Sequence, residues 1–178
     1  MIKPGYTRVT EPLSLIQSFD GIDKIILKKA ADRGTKVHRY CELYMMDEFT
    51  PADEEVEPYL SSFAQWYNVI VDEPLDIERR FYDDQLKITG KIDLIAKLHG
   101  DKKPSVIDIK TSQTKSKTWP LQLAAYKYLA TLENIDCDRF LVVQLNKNGK
   151  RPEIIEYTEF NKYWELYKCA LMTWRYSK

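Results

Sequence analysis

The sequence is short of cysteine, of long hydrophobic runs, of net charge and of any repeat. Its three cysteines, Cys41, Cys137 and Cys169, have no paired spacing, and an odd number cannot form a closed set of disulfides. They read as reduced, mostly structural thiols of a cytoplasmic protein. No apolar run approaches the roughly 20 residues that a membrane-spanning helix needs, so no membrane partner is expected. The opening Met1-Ile-Lys-Pro-Gly lacks the apolar core of a signal peptide. Lysine plus arginine and aspartate plus glutamate each number 27, giving zero net charge and a pI near 6.7. That argues against a binder of polyanions built on bulk positive charge, for which a pI above about 9 is usual. Basic residues can still cluster locally, and acids that hold a metal lower the pI without forbidding such a cluster. No internal repeat and no low-complexity segment interrupts the chain.

What is present suits one domain. The 178 residues, 44% of them apolar, are enough for a sizeable core, and a single domain over 1–178 is expected. Residues 1–21 read as an irregular lead-in punctuated by Pro4, Gly5, Pro12 and Gly21. A first helix is predicted over 22–31, with Ile22, Ile25 and Ile26 around one face. Gly34 is predicted to break it, and Thr35 to cap a second helix reaching about residue 46. In Thr50-Pro-Ala-Asp-Glu-Glu, Pro51 and the acids mark the start of another helix. Val56, Tyr59, Leu60, Phe63, Trp66, Tyr67 and Ile70 then recur at helical spacing; a buried stripe is the simpler reading, a stacking platform the alternative. Asp72-Glu-Pro closes that helix, and residues 75–82 are predicted to be the first sheet strand, turning at Asp83-Asp84. Further on, Thr118-Trp-Pro120 opens a helix, since proline at the first helical position sacrifices no bond. Residues 139–145 and 153–157 are predicted strands around an Asn148-Gly149 turn. Phe160, Tyr163, Trp164, Tyr167, Leu171 and Trp174 form the stripe of a closing helix over 159–177, beyond a core at about 33–157.

The stretch that carries chemistry is 87–110. Ile88, Ile92, Leu94, Ile95 and Leu98 make one β-rich run, and Val106, Ile107 and Ile109 another. Gly100-Asp101 suits a two-residue type II′ turn, which places Asp93 opposite Asp108. Asp108 and Lys110, two apart, share a strand face. Pro104 weakens this register, because it cannot donate to the ladder. Directly opposed like charges are destabilising, and the aliphatic neighbours suit strands buried on both faces. A divalent cation held by Asp93 and Asp108 accounts for the pair, since Mg²⁺ is bound through one or two carboxylates plus waters. Lys110 then stands beside it, placed to orient a water or to meet charge developing on a phosphate. The plainer alternative is an Asp108–Lys110 ion pair with no metal. Lys102, Lys103, Lys110, Lys115 and Lys117 crowd the same region, as a basic face or simply a solvated loop.

Gly90-Lys-Ile-Asp93, then Asp108-Ile-Lys110-Thr-Ser, then Gln122-Leu-Ala-Ala-Tyr126 resemble, in that order, the motifs of the PD-(D/E)xK nuclease superfamily. The Gln-x-x-x-Tyr element is similar to that of the RecB and Cas4 branch, and the set resembles small phage-type or mitochondrial genome-maintenance exonucleases. Arg33-Gly-Thr-Lys-Val-His38-Arg-Tyr-Cys-Glu42 resembles the histidine-bearing helix of that branch. Ile92 departs from the proline of the superfamily's name. The resemblance covers about 33–130.

It implies a restriction-endonuclease-like α/β (α+β) fold, a mixed β-sheet flanked by helices. It implies that Asp93, Asp108 and Lys110 are catalytic, and that His38, Asp93, Asp108 and the Ile109 carbonyl hold Mg²⁺ or Mn²⁺. The imidazole suits Mn²⁺ better than Mg²⁺. Gln122 and Tyr126 are expected to support the site and the DNA contact. Glu42, four residues after His38, is a candidate to orient its ring. Glu78 is either a supporting residue of the site or a surface strand charge, and Lys115 and Lys117 are candidate DNA contacts. The activity implied is metal-dependent exonuclease hydrolysis of DNA in recombination, repair or replication. Its substrate is single-stranded DNA or an end-bearing duplex, with a helicase or recombinase partner left open. The alternatives are a structure- or site-specific endonuclease and a non-catalytic nucleic-acid-binding module of the same fold.

Overall fold

Strand β3 (Ile88–Leu98) organises the sheet: it is buried on both faces and paired on both edges. In the computed structural model, which describes residues 2–17, 21–48 and 51–178, β2 (Val71–Asp83) pairs antiparallel along one edge of it. Two strands share the other edge. β1 (Thr7–Arg8) runs parallel beside Ile88 and Thr89, and β4 (Ser105–Lys110) runs antiparallel beside residues 94–96. The sheet continues through β5 (Arg139–Gln144), parallel to β4, and β6 (Glu153–Tyr157), antiparallel to β5. The parallel β4–β5 pair needs a crossover, which is helix α3 (Trp119–Leu132). Helices α1 (Lys24–Met45), α2 (Glu57–Ile70) and α4 (Phe160–Tyr176) complete the mixed, helix-flanked α/β core of restriction-endonuclease type expected from the sequence.

The sheet separates two apolar clusters. On one face Phe81, Ile88, Ile92, Ile95 and Val106 meet Leu123, Ala125 and Leu129 of α3 and Tyr167 and Leu171 of α4. On the other, Leu94, Ala96, Ile107, Ile109 and Val143 meet Val37 and Cys41 of α1 and Tyr59, Phe63 and Trp66 of α2. The aromatic stripe of α2 is therefore core, although Ile70 at its end is 38% exposed. Among the described residues no helix is long and apolar enough to cross a membrane.

Several local expectations need correction. The two helices predicted over 22–46 are one, running through Gly34, whose cost of about 1 kcal/mol a long helix absorbs. Asp23 caps it, accepting from the Ile25 N–H at 2.7 Å, while Thr35 donates its hydroxyl to Ala31 O inside the helix. Ile22 precedes the helix, and Ile25 and Ile26 on its first turn are exposed. The lead-in is more ordered than expected, with β1 followed by a 3₁₀ turn (Pro12–Leu15) that buries Val9 and Leu13 in the core. The strand predicted from residue 75 begins at Val71 and passes through Pro74 between two register shifts, which an edge strand tolerates. The connection after β3 has six residues, not two: β3 ends at Leu98 and β4 begins at Ser105. The pairing of Leu94 with Ile107 is nevertheless the predicted register, and Pro104 sits outside the ladder. Thr50, in the loop before α2, lies outside the described residues.

Candidate active site

The site forms where the alternation of two strands slips. Ile92 and Ile95 share one face of the sheet although they are three apart, and Leu94 lies on the other. On β2, Phe81 and Ile77 lie on opposite faces although they are four apart. Between them Glu78 has φ +51°, a left-handed backbone that costs a non-glycine residue about 1–3 kcal/mol. The pairs Ile77–Leu94 and Arg79–Ile92 bracket Glu78 and Asp93. The slip thus sets two carboxylates side by side on the face that α1 covers.

Helix α1 adds His38. Its Nδ1 lies 3.2 Å from Asp93 Oδ1 and 3.6 Å from Glu78 Oε1. One ligand atom from each of His38, Glu78 and Asp93 falls within 4.8 Å of the others. Asp93 is held by its second oxygen, which accepts the Ile109 N–H at 2.7 Å. Glu78 Oε2 pairs with Lys91, whereas Oε1 is buried and accepts no hydrogen bond. An imidazole, two carboxylates and an orphaned buried oxygen make a donor set that fits a divalent cation. A cleft of about 590 Å³ opens over them.

Beside this cluster lies a second, linked network, in which Asp108 Oδ2 has an ion pair but no hydrogen bond. Lys110 Nζ is 2.7 Å from Asp108 Oδ2 and donates to Gln122 Oε1 at 3.1 Å. Gln122 Nε2 donates to Asp108 Oδ1 at 3.0 Å and to the Tyr126 hydroxyl at 2.9 Å. Gln122 and Tyr126, one turn apart on α3, therefore fix the carboxylate and the ammonium together. Gly90 makes room: a Cβ there would lie 2.7 Å from the Tyr126 ring. On α1, a Cβ at Gly34 would stand 3.6 Å from Thr111 Oγ1, so the helix passes close to the end of β4.

Burial and charge set these groups apart. Burial disfavours the charged His38 ring, but the charge and hydrogen bonding of Asp93, with the Glu78 carboxylate close by, outweigh it and push its pKa up to about 10. Burial tends to raise Asp93, yet the His38 and Lys110 charges and the Ile109 N–H bring it below the usual range. Asp108 goes the other way. Burial, with the Asp93 charge, pushes it up to about 6 against the pull of Lys110. Two neighbouring carboxyl groups with opposed shifts are the pattern of a site built for acid–base or metal chemistry.

Because the folded imidazole holds its proton more tightly than an unfolded one, its contact with Asp93 stabilises fully below about pH 6.5. That contribution disappears as pH rises through about 10. A metal ligated by His38 must displace this proton. Mn²⁺ titrated into the protein at pH 7.5 is expected to release about one proton per chain, read from the dependence of calorimetric heat on buffer ionisation enthalpy. Release of none would show either that His38 is already neutral at this pH or that it is not a ligand, and His38→Gln, which weakens Mn²⁺ binding only in the first case, separates the two.

Of the residues singled out in the sequence, His38, Glu78, Asp93, Asp108, Lys110, Gln122 and Tyr126 converge here. Glu78 faces the cluster rather than solvent. Glu42 lines the cleft but is bound to Arg39 Nη1 at 2.8 Å, so it does not orient His38. Ile109 meets the site through its N–H, which Asp93 Oδ2 accepts. Lys115 pairs with Glu153, Lys103 with Asp136 and Asp138, and Lys117 is exposed. Lys91 was missed. Its place two residues before Asp93, on the same strand face, was the available signal.

Comparison with known proteins agrees with this geometry. The family model of the PD-(D/E)XK nuclease superfamily matches residues 52–158, more than half of the chain. His38 lies outside that match. A solved structure of a candidate exonuclease from Eubacterium rectale is similar in fold, with a TM-score of 0.58 and 11% identity, covering 94% of this chain and 78% of that one. The structure of SSO0001 aligns over 97% of this chain and 78% of its own at 16% identity, with a TM-score of 0.45, too low to support an argument. No curated protein matches the sequence. The match over β2–β6, together with the Asp93, Asp108 and Lys110 constellation that those strands carry, shows that the chain belongs to the PD-(D/E)XK nuclease superfamily.

Proposed function

We propose that the chain is a metal-dependent deoxyribonuclease that hydrolyses phosphodiester bonds from DNA ends. The observation that carries this is the adjacency of the His38–Glu78–Asp93 cluster, which lines the cleft, to the Asp108–Lys110–Gln122 network on the neighbouring strand and helix. His38, Glu78 and Asp93 would hold Mg²⁺ or Mn²⁺, with Asp108 beside them. A divalent ion in such a site lowers the pKa of a bound water and polarises the phosphate. Lys110, kept in place by Asp108 and Gln122, presents a positive charge to the phosphate oxygens as negative charge builds up on them. Tyr126 and Gln122 keep that ammonium from swinging away. The exonuclease form rests on the resemblance of the motif set to exonucleases of the RecB and Cas4 branch.

The test is cleavage of end-labelled linear single- and double-stranded DNA beside closed circular DNA, with Mg²⁺, Mn²⁺ or EDTA. Metal-dependent shortening confined to linear DNA is expected. Nicking of the circles would show an endonuclease instead. DNA binding with no cleavage under either metal would reduce the protein to a binding module.

A further inference from the structure

Two cavities meet at Thr35 and Lys91. One is the cleft over the acidic cluster. The other, of about 510 Å³, lies between β1, the β2–β3 pair and Tyr126 of α3. The proposed hydrolysis uses the first and leaves the second without a role.

The charge of the second cavity has one sign. Arg8, Arg80 and Lys91 line it, and none of its lining residues is a carboxylate. Arg80 and Lys91 are direct partners across the antiparallel β2–β3 ladder, an opposition of like charges that destabilises a sheet unless an anion offsets it. Little in the protein does so. Among the described residues the Arg80 guanidinium has no hydrogen bond or ion pair. Arg8 reaches Glu11 only at 3.9 Å, in an exposed pair of the kind that contributes little. The carboxylate beside Lys91 is Glu78, which also belongs to the metal cluster.

We propose that Arg80, together with Arg8 and Lys91, is the subsite for a phosphate group of the DNA strand being cut, next to the phosphate at the metal cluster. The substrate class rests on the nuclease reading above; the subsite itself does not depend on cleavage. A phosphate supplies the anion that this face lacks, and the planar arginine fork matches its oxygens. The lead-in walls the cavity with Arg8, Val9 and Thr10. The phosphate held there is either the terminal one of a strand or the internal neighbour of the scissile bond.

The experiment measures binding of a short single-stranded oligonucleotide by fluorescence anisotropy, with the label at the 3′ end and either a 5′-phosphate or a 5′-hydroxyl. The protein carries Asp108→Asn throughout, and Ca²⁺ replaces the catalytic ion. Adding Arg80→Gln is expected to weaken binding about tenfold and to lower the slope of log affinity against log salt by about 0.7. Equal loss on both oligonucleotides places an internal phosphate in the subsite; loss confined to the 5′-phosphorylated one places the terminal phosphate there. Arg80→Lys is expected to restore only part of the affinity. Because Arg80→Gln removes a like-charge opposition, its thermal midpoint is expected to stay level or rise, which separates a lost contact from a lost fold. Unchanged affinity and salt slope on both oligonucleotides would overturn the subsite. A wild-type protein that binds through Arg80 yet never cuts would sink the hydrolase reading and leave the subsite standing.

Discussion

Asp108→Asn is expected to reduce cleavage about a thousandfold, the scale for losing one preorganised charged group of an active site, without weakening the fold. Asparagine keeps an oxygen for Gln122 Nε2, so the tie from α3 to β4 persists, while its amide NH2 in place of Oδ2 no longer accepts from Lys110. It removes the buried charge that stands beside Asp93. Asp108 holds its proton up to about pH 6 in the folded state, above the ordinary aspartate value near 3.9. The folded protein therefore binds that proton more tightly than the unfolded chain does. The charged form costs stability above about pH 6, and the cost fades as pH falls towards 4. At pH 7.5 the variant is expected to melt a few degrees higher, since about 1 kcal/mol corresponds to about 2–4 °C in a chain of this size. Below pH 4 the two melting curves should coincide. Normal cleavage by the variant would remove Asp108 from the active site, and a lower midpoint at neutral pH would show that its charge is stabilising.

Gly90→Ala is expected to harm both stability and activity, through one added methyl group. The new Cβ would lie 2.7 and 2.9 Å from the Tyr126 ring and 3.0 Å from Leu129. Neither neighbour can give way easily, for Leu129 is fully buried and Tyr126 is 5% exposed. Overpacking of this kind costs about 1–3 kcal/mol. Relief requires α3 to lift or Tyr126 to rotate, and either motion pulls the hydroxyl from Gln122 Nε2 and loosens the grip of Gln122 on Asp108 and Lys110. Chemical denaturation should show the loss of stability, and the turnover number should fall more than tenfold, since small misplacements of catalytic groups have large effects on rate. In a Tyr126→Leu background the stability penalty is expected to shrink, because residues in contact are not additive. An equal penalty in both backgrounds would show that the ring is not what Gly90 accommodates.

The parts of the molecule legible in the sequence are those where a period and a chemical type coincide. The β3–β4 pairing could be read from alternating aliphatic residues, and it survives a loop of unexpected length because Leu94 still meets Ile107. Gln122 and Tyr126 were legible as an i, i+4 pair on a helix opened by Pro120. His38 was not legible from spacing, and only the family resemblance pointed to it. Glu78 is ambiguous in the sequence because nothing in Asp76-Ile-Glu-Arg-Arg announces a left-handed residue inside a strand. The same slip, added to the two register shifts after Val71, hid the opposition of Arg80 and Lys91. Gly34 misled in the other direction: a weak local preference for a break yields to a helix whose far half buries Val37 and Cys41. β1, two residues long, offers no period at all.

His38 differs from the other members of the cluster in what carries it. Glu78 and Asp93 belong to paired strands, whereas His38 rides on α1, whose first turns leave Ile25 and Ile26 in solvent. An ion shared among the three is thus a clasp between a helix and a sheet, closing the long stretch of chain from His38 to Glu78. Binding of the ion would add to the packing of Val37 and Cys41 rather than replace it, so the ion that arms the chemistry would also hold α1 more firmly to the sheet.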